Sequence, residues 1–328
     1  MPMADWMLAA GAFILAAALS SWATLLMLPW LRRVCAGQHV REDVPETHLE
    51  KAGTPSMGGI PMLLGTLLAA LIFLAVADCL TVQFWACALL VVGFALVGLA
   101  DDARKLGNVK SKGILARYRI LAEILIAGAF LYLLQTRTEA PEHPWWMGSA
   151  AWPLGIAVAF RLFVILGSGN ALNLTDGLDG LAAGLTAIAS VALGSICLWM
   201  GSLELGVWAM ALGGGAAGFL ILNAKPASIW MGDVGSLGLG AALASIAVSA
   251  GIEIIYAIAG LVFVAEAGSV ILQVISFKST GKRIFRMSPL HHHFELCGMK
   301  EQAVVSRFWM AGLIFGAMAV GVFAMARG

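Results

Sequence analysis

Three short acidic stretches hold most of the chemistry available to this chain. Asp101 and Asp102 lie in "ADDARK" (100–105), Asp176 and Asp179 in "NLTDGLDG" (173–180), and Asp233 in "NAKPASIWMGDVGS" (223–236). Five carboxylates brought together repel one another unless cations join them. Mg2+ suits such a group because it takes oxygen ligands, usually one or two carboxylates, and fills its other positions with water and substrate phosphate. Basic residues in the same stretches, Lys105 among them, would hold phosphate oxygens. Asp233 precedes an apolar run, where a helix N-terminus would favour an anion. The spacing of three between Asp176 and Asp179 puts both on one face of a helical turn. Two more polar stretches are "HLEKAGTPSMGG" (48–59) and "MSPLHHHFE" (287–295). As neighbours, His291, His292 and His293 point different ways along a helix, which argues against a three-His zinc site and leaves one or two to meet a phosphate or carboxylate. Singly, these signals are weak: an acidic pair at the end of a span is more often a solvated cap, and Gly-Asp-x-Gly-Ser also makes a plain helix cap. "NLTDGLDG" lacks EF-hand ligand spacing, and "GSGN" (167–170) is no dinucleotide fingerprint.

The elements that must position these residues are apolar. Of 328 residues, 60% are hydrophobic and 12% charged, with a mean hydropathy of +0.90, against about 25% charged in a soluble domain. That composition predicts an all-α, polytopic membrane protein, since the period-two alternation of a β-barrel is missing. Apolar runs place about ten spans, at 8–31, 57–77, 83–100, 118–135, 151–168, 180–199, 204–222, 235–250, 252–276 and 304–326. The first lacks a basic start and is long enough to span, so it reads as a retained helix and not a signal peptide. No repeat or low-complexity segment divides the chain, which reads as a single domain, 1–328. The five cysteines are scattered without a CxxC pair, arguing against disulfides and a Cys-ligated metal. A net charge of +1 says nothing by itself about nucleic acid, which is not expected as a partner.

Charge distribution says more. Seventeen of the 20 lysines and arginines fall on alternate connections between spans, the exceptions being Arg137, Arg161 and Arg327. The positive-inside rule puts those connections in the cytoplasm and both termini outside. All the polar stretches then share the cytoplasmic side, where they can converge on one site. Glu123, Arg161 and Glu266 are ionisable residues within spans, a feature of ion pathways that keeps a transporter or lipid flippase as a rival reading. Against it, no repeated pair of interrupted helices is visible.

Together the motifs resemble the phospho-N-acetylmuramoyl-pentapeptide transferases of bacterial peptidoglycan synthesis, within the polyprenyl-phosphate N-acetylhexosamine-1-phosphate transferase superfamily. "DDARK" is common across the superfamily, whereas "HLEKAGTPSMGGI" and "MSPLHHHFELCG", followed by "VVSRFW", point to the muramoyl-pentapeptide branch; the similarity runs from about Gln38 to Trp309. The resemblance implies ten helices in the bacterial inner membrane and an active-site cleft facing the cytoplasm. It also implies the reaction, the first membrane step of peptidoglycan synthesis: phospho-MurNAc-pentapeptide passes from UDP-MurNAc-pentapeptide to undecaprenyl phosphate, giving lipid I and UMP with Mg2+ as cofactor. By motif position it gives catalytic roles to Asp101, Asp102, Asp233 and His291, with Asp233 the Mg2+ ligand. Substrate binding would fall to Lys51, Lys105, Asn173, Asp176, Asp179, Asn223, His292 and His293. Either Asp101 or Asp102 would be the base, and a covalent route through an aspartate stays open beside direct attack. Ser56, Trp230 and Met299 depart from the family's usual Thr, Phe and Trp; none is a catalytic group. A UDP-N-acetylglucosamine-1-phosphate transferase is the nearest alternative, disfavoured by "PLHHHFE". A homodimer stays open, because interfaces between apolar helices leave little trace in sequence.

Overall fold

The computed structural model describes residues 2–34, 54–107, 113–137 and 153–327. Cys35, Lys51 and the rest of positions 48–53 of the "HLEKAGTPSMGG" stretch lie outside the described residues. The described residues form helices and connections without strands. The helices are α1 (Met3–Val34), α2 (Gly59–Val76), α3 (Val82–Gly107), α4 (Ala116–Arg137), α5 (Leu154–Thr175), α6 (Leu181–Trp199), α7 (Leu203–Asn223), α8 (Gly232–Ala250), α9 (Glu253–Ala259), α10 (Leu261–Thr280), α11 (Leu290–Leu296) and α12 (Glu301–Arg327). All but α9 and α11, ten in number, are long and apolar enough to cross a membrane. In hydrocarbon, helices are favoured because they satisfy every backbone N–H and C=O within the segment.

The ninth expected span, 252–276, is not one helix. It breaks at Gly260 into the seven-residue α9 and the twenty-residue α10. Glycine is the poorest helix former after proline, and hydropathy does not register the break.

Small residues set the packing. Helix α8 is buried along almost its whole length and packs on α3, α5 and α2; its Gly, Ala and Ser residues let neighbouring backbones come close. Helix α1 turns Ala9, Ala12, Ala16, Ser20, Thr24, Leu28 and Leu31 inward and leaves large apolar residues such as Ile14, Trp22 and Leu26 exposed. Spacing of three or four is the mark of one buried helical face. Against it, α7 brings Gly214 so close that a Cβ there would lie 2.0 Å from the Phe13 carbonyl oxygen. The seam is stitched where Ser20 Oγ donates to Gly215 O at 2.8 Å.

The bundle has two chemically different ends. At one, the α2–α3 connection is held by Glu204, which accepts the Thr81 amide at 3.0 Å and the Phe84 amide at 3.1 Å, capping α3 from the first turn of α7. At the other, the connections carrying the polar motifs meet.

Candidate active site

The site is assembled where α2, α3 and α8 touch backbone to backbone. A Cβ on Gly98 of α3 would lie 2.2 Å from the Asp233 carbonyl oxygen, and one on Gly59 of α2 would lie 2.2 Å from the Gly235 Cα. The chain before α2 pairs with the chain before α8: Trp230 N donates to Pro55 O at 2.9 Å, Gly58 N to Trp230 O at 2.8 Å and Gly59 N to Met231 O at 2.9 Å. "TPSMGG" is thereby joined to "IWMGD".

This contact puts three carboxylates side by side. Asp101 and Asp102, near the end of α3, are only 4% and 3% exposed, so they are no solvated cap. Lys105, one turn on, sets its Nζ 2.6 Å from Asp101 Oδ2 and 2.8 Å from Asp233 Oδ2. Asp101 Oδ1 accepts the Ile114 amide at 2.6 Å, and Asp102 Oδ2 accepts the Val234 amide at 3.2 Å, which satisfies one of the open N–H groups at the start of α8. Asp233 Oδ1 accepts Asn173 Nδ2 at 3.0 Å, while Arg119 Nη1 of α4 stands 3.7 Å from Asp233 Oδ2. Three carboxylates thus face two cations at the positive end of a helix, an arrangement suited to a further cation or to phosphate.

Two other groupings flank this cluster. Asp179 receives the Ala227 amide at 3.1 Å and Trp230 Nε1 at 3.4 Å, while its own amide donates to Glu301 Oε1 at 3.0 Å. Asn223 accepts the Gly180 amide at 3.2 Å, and Lys225 bonds Glu301 Oε2. Farther along, the fully buried Glu266 of α10 takes the His291 amide at 3.2 Å and faces His291 Nδ1 at 3.1 Å. Among the described residues Nε2 of His291 has no hydrogen-bond partner, and it abuts Gly177.

The glycosyl transferase family 4 profile matches residues 84–251. The phospho-N-acetylmuramoyl-pentapeptide-transferase of Caldanaerobacter subterraneus subsp. tengcongensis is 42% identical over 287 residues, covering 88% of this chain and 90% of the relative. That of Moorella thermoacetica is 44% identical over 293 residues, again 88% and 90%, and that of Geobacillus kaustophilus 40% over 300 residues, 90% and 91%. The chain belongs to the phospho-N-acetylmuramoyl-pentapeptide-transferase family.

Of the residues that the family resemblance named, Asp101, Asp102, Lys105, Asn173 and Asp233 meet in one cluster. Asp179 and Asn223 instead bond the connection between α7 and α8. Asp176 and Asp179 do not share a helical face. Helix α5 ends at Thr175 with Asp176 as its cap, and the chain turns through Gly177 and Gly180, the latter at φ +78°, before α6 begins. In α11, His292 Nδ1 faces Glu295 at 2.9 Å and His293 Nδ1 accepts the Arg286 amide at 3.2 Å.

The three ionisable residues within spans are all engaged: Glu123 with Arg119 at 3.0 Å, Arg161 with Glu253 at 3.3 Å, and Glu266 with His291. Pairing of this kind lowers the cost of holding ionisable side chains within a span. Sequence reading missed Arg119 as a site residue, together with Asn170, Ser236 and Glu301. For Arg119 a signal was present, since it sits four residues before Glu123, the spacing of a helical ion pair.

Proposed function

We propose that this transferase moves phospho-MurNAc-pentapeptide from UDP-MurNAc-pentapeptide to undecaprenyl phosphate, forming lipid I and UMP, with Mg2+ as cofactor and with the motif-bearing end of the bundle in the cytoplasm. The observation that carries this reading is the cluster of Asp101, Asp102 and Asp233 with Lys105 between two of them. The positive-inside bias supports the sidedness, in a bacterial cytoplasmic membrane with both termini outside.

The donor set fits Mg2+. It consists of carboxylate oxygens, and a compact positive charge, the Lys105 ammonium, is already accommodated within 2.8 Å of both Asp101 and Asp233. Among the described residues no group of three or more His, Cys, Asp or Glu side chains is arranged to hold a metal ion, so the protein would supply only one or two carboxylates and the remaining ligands would be water and substrate phosphate. Asp233 would hold the ion, with Asp101 beside it. Bound there, Mg2+ supplies charge neutralisation for the diphosphate.

The chain's own groups do the rest. A phosphate oxygen of the lipid attacks the β-phosphorus of the UDP-sugar, and the bond from that phosphorus to the bridging oxygen breaks, so UMP leaves with the electron pair. Asp102 is the better placed of the pair to take a proton. It accepts the Val234 amide on Oδ2, whereas both oxygens of Asp101 are already bonded, one to the Lys105 ammonium. Lys105 and the start of α8 bind phosphate oxygens.

The test is UMP release by the purified protein in mild detergent, with undecaprenyl phosphate and either UDP-MurNAc-pentapeptide or UDP-GlcNAc, in Mg2+ and in EDTA. Metal-dependent release from the muropeptide nucleotide alone is expected. Release from UDP-GlcNAc alone would move the chain to the neighbouring branch, and release undiminished by EDTA would remove the cofactor.

A further inference from the structure

Between α4, α5 and α8 runs a chain of polar side chains that the reaction scheme leaves unused. Glu123 is fully buried, and both its oxygens are taken: Oε1 by Arg119 Nε at 3.0 Å and Oε2 by Asn170 Nδ2 at 2.9 Å. The same guanidinium spreads its Nη2 over two amide oxygens, Asn170 Oδ1 at 3.1 Å and Asn173 Oδ1 at 3.4 Å. Asn173, its oxygen turned to Arg119, presents its Nδ2 to Asp233 Oδ1 at 3.0 Å and to Ser236 Oγ at 2.8 Å.

An asparagine amide has one acceptor end and one donor end, and either can face a given neighbour. Here Arg119 is a pure donor and Asp233 an acceptor, so the two together permit a single orientation of Asn173. Without the guanidinium, the Asn173 oxygen loses its donor and the side chain is free to rotate away from Asp233 in search of another. We propose that Arg119, clamped by Glu123, is a positioning residue: it locks the Asn173 amide and, through that amide and its own Nη1 at 3.7 Å from Asp233 Oδ2, fixes Asp233 with Oδ1 toward α5 and Oδ2 toward Lys105. The planar fork is needed, because an ammonium cannot reach Glu123, Asn170 and Asn173 at once. The inference rests on Asp233 being the cation ligand proposed above.

The test uses full-length protein in detergent and Mn2+ alone as probe, with free Mn2+ followed by electron paramagnetic resonance and melting measured in parallel. Arg119→Lys keeps a cation against the buried Glu123, and the Arg119→Gln, Glu123→Gln double variant removes both charges together. Each is expected to bind Mn2+ about 10-fold or more weakly, in the range seen when groups supporting a metal ligand are removed. Turnover lost at low Mg2+ should be regained at high Mg2+. A purely structural pair would lower the melting temperature and leave Mn2+ affinity alone. Unchanged affinity in a folded variant therefore overturns the assignment, as does failure of both variants to fold. Absence of Mn2+ binding by the unaltered protein would instead remove the cation site itself and this assignment with it.

Discussion

Gly98→Ala adds one methyl group at the seam on which the acidic cluster depends. The new Cβ would lie 2.2 Å from the Asp233 carbonyl oxygen, 2.4 Å from its carbonyl carbon and 2.6 Å from the Val234 nitrogen. All three are backbone atoms, so no side-chain rotation relieves the clash. Ordinary contact begins near 3.4 Å, and the first turn of α8 must therefore retreat from α3 by about 1.2 Å. The bonds that cross this seam, Lys105 to Asp233 at 2.8 Å and Val234 to Asp102 at 3.2 Å, would stretch beyond hydrogen-bonding range. Overpacking of this kind costs about 1–3 kcal/mol, which a well-packed bundle survives. Misplacement by about 1 Å can cost about 100-fold in rate. The expected outcome is a folded protein with turnover down about 100-fold. Gly128→Ala on α4 is the control, since nothing lies within 4 Å of its Cβ and alanine is the better helix former. UMP release and melting temperature, measured on both variants, check this. Undiminished turnover in Gly98→Ala would show that the α3–α8 contact does not position Asp233.

Three shorter predictions test other parts of the reading. Lys105→Met removes the ammonium between Asp101 and Asp233; turnover should fall about 100- to 1,000-fold, as for loss of one aligned donor, and the melting temperature should fall with it, because two largely buried carboxylates lose their counter-ion. Glu204→Ala uncaps α3 at the opposite end and should cost about 1–2 kcal/mol in melting experiments with UMP release unchanged. In a background without native cysteines, Ser202→Cys between α6 and α7 should react with an impermeant maleimide in intact cells and Lys282→Cys should not, the reverse pattern inverting the topology.

The carboxylates were legible because their chemistry is unusual in so apolar a chain, and once the spans were drawn the alternation of charge between them put the polar stretches on a common side. What sequence could not give is the set of helix pairs that touch. Arg119 and Glu123 read as isolated charges in a span because the amides between them and Asp233 come from α5, about fifty residues away. The pairing of Asp176 with Asp179 failed for a local reason: a spacing of three argues for one face only while the helix continues, and Gly177 and Gly180 end it. The break at Gly260 escaped because hydropathy runs through it unchanged. Gly98 shows the limit most clearly. A glycine in an apolar span is unremarkable, and its importance arises from a second backbone, that of Asp233, lying where its side chain would be. The geometry of the acidic cluster is therefore a property of the α3–α8 contact, and a substitution with no chemistry of its own should disable the site as surely as loss of Lys105.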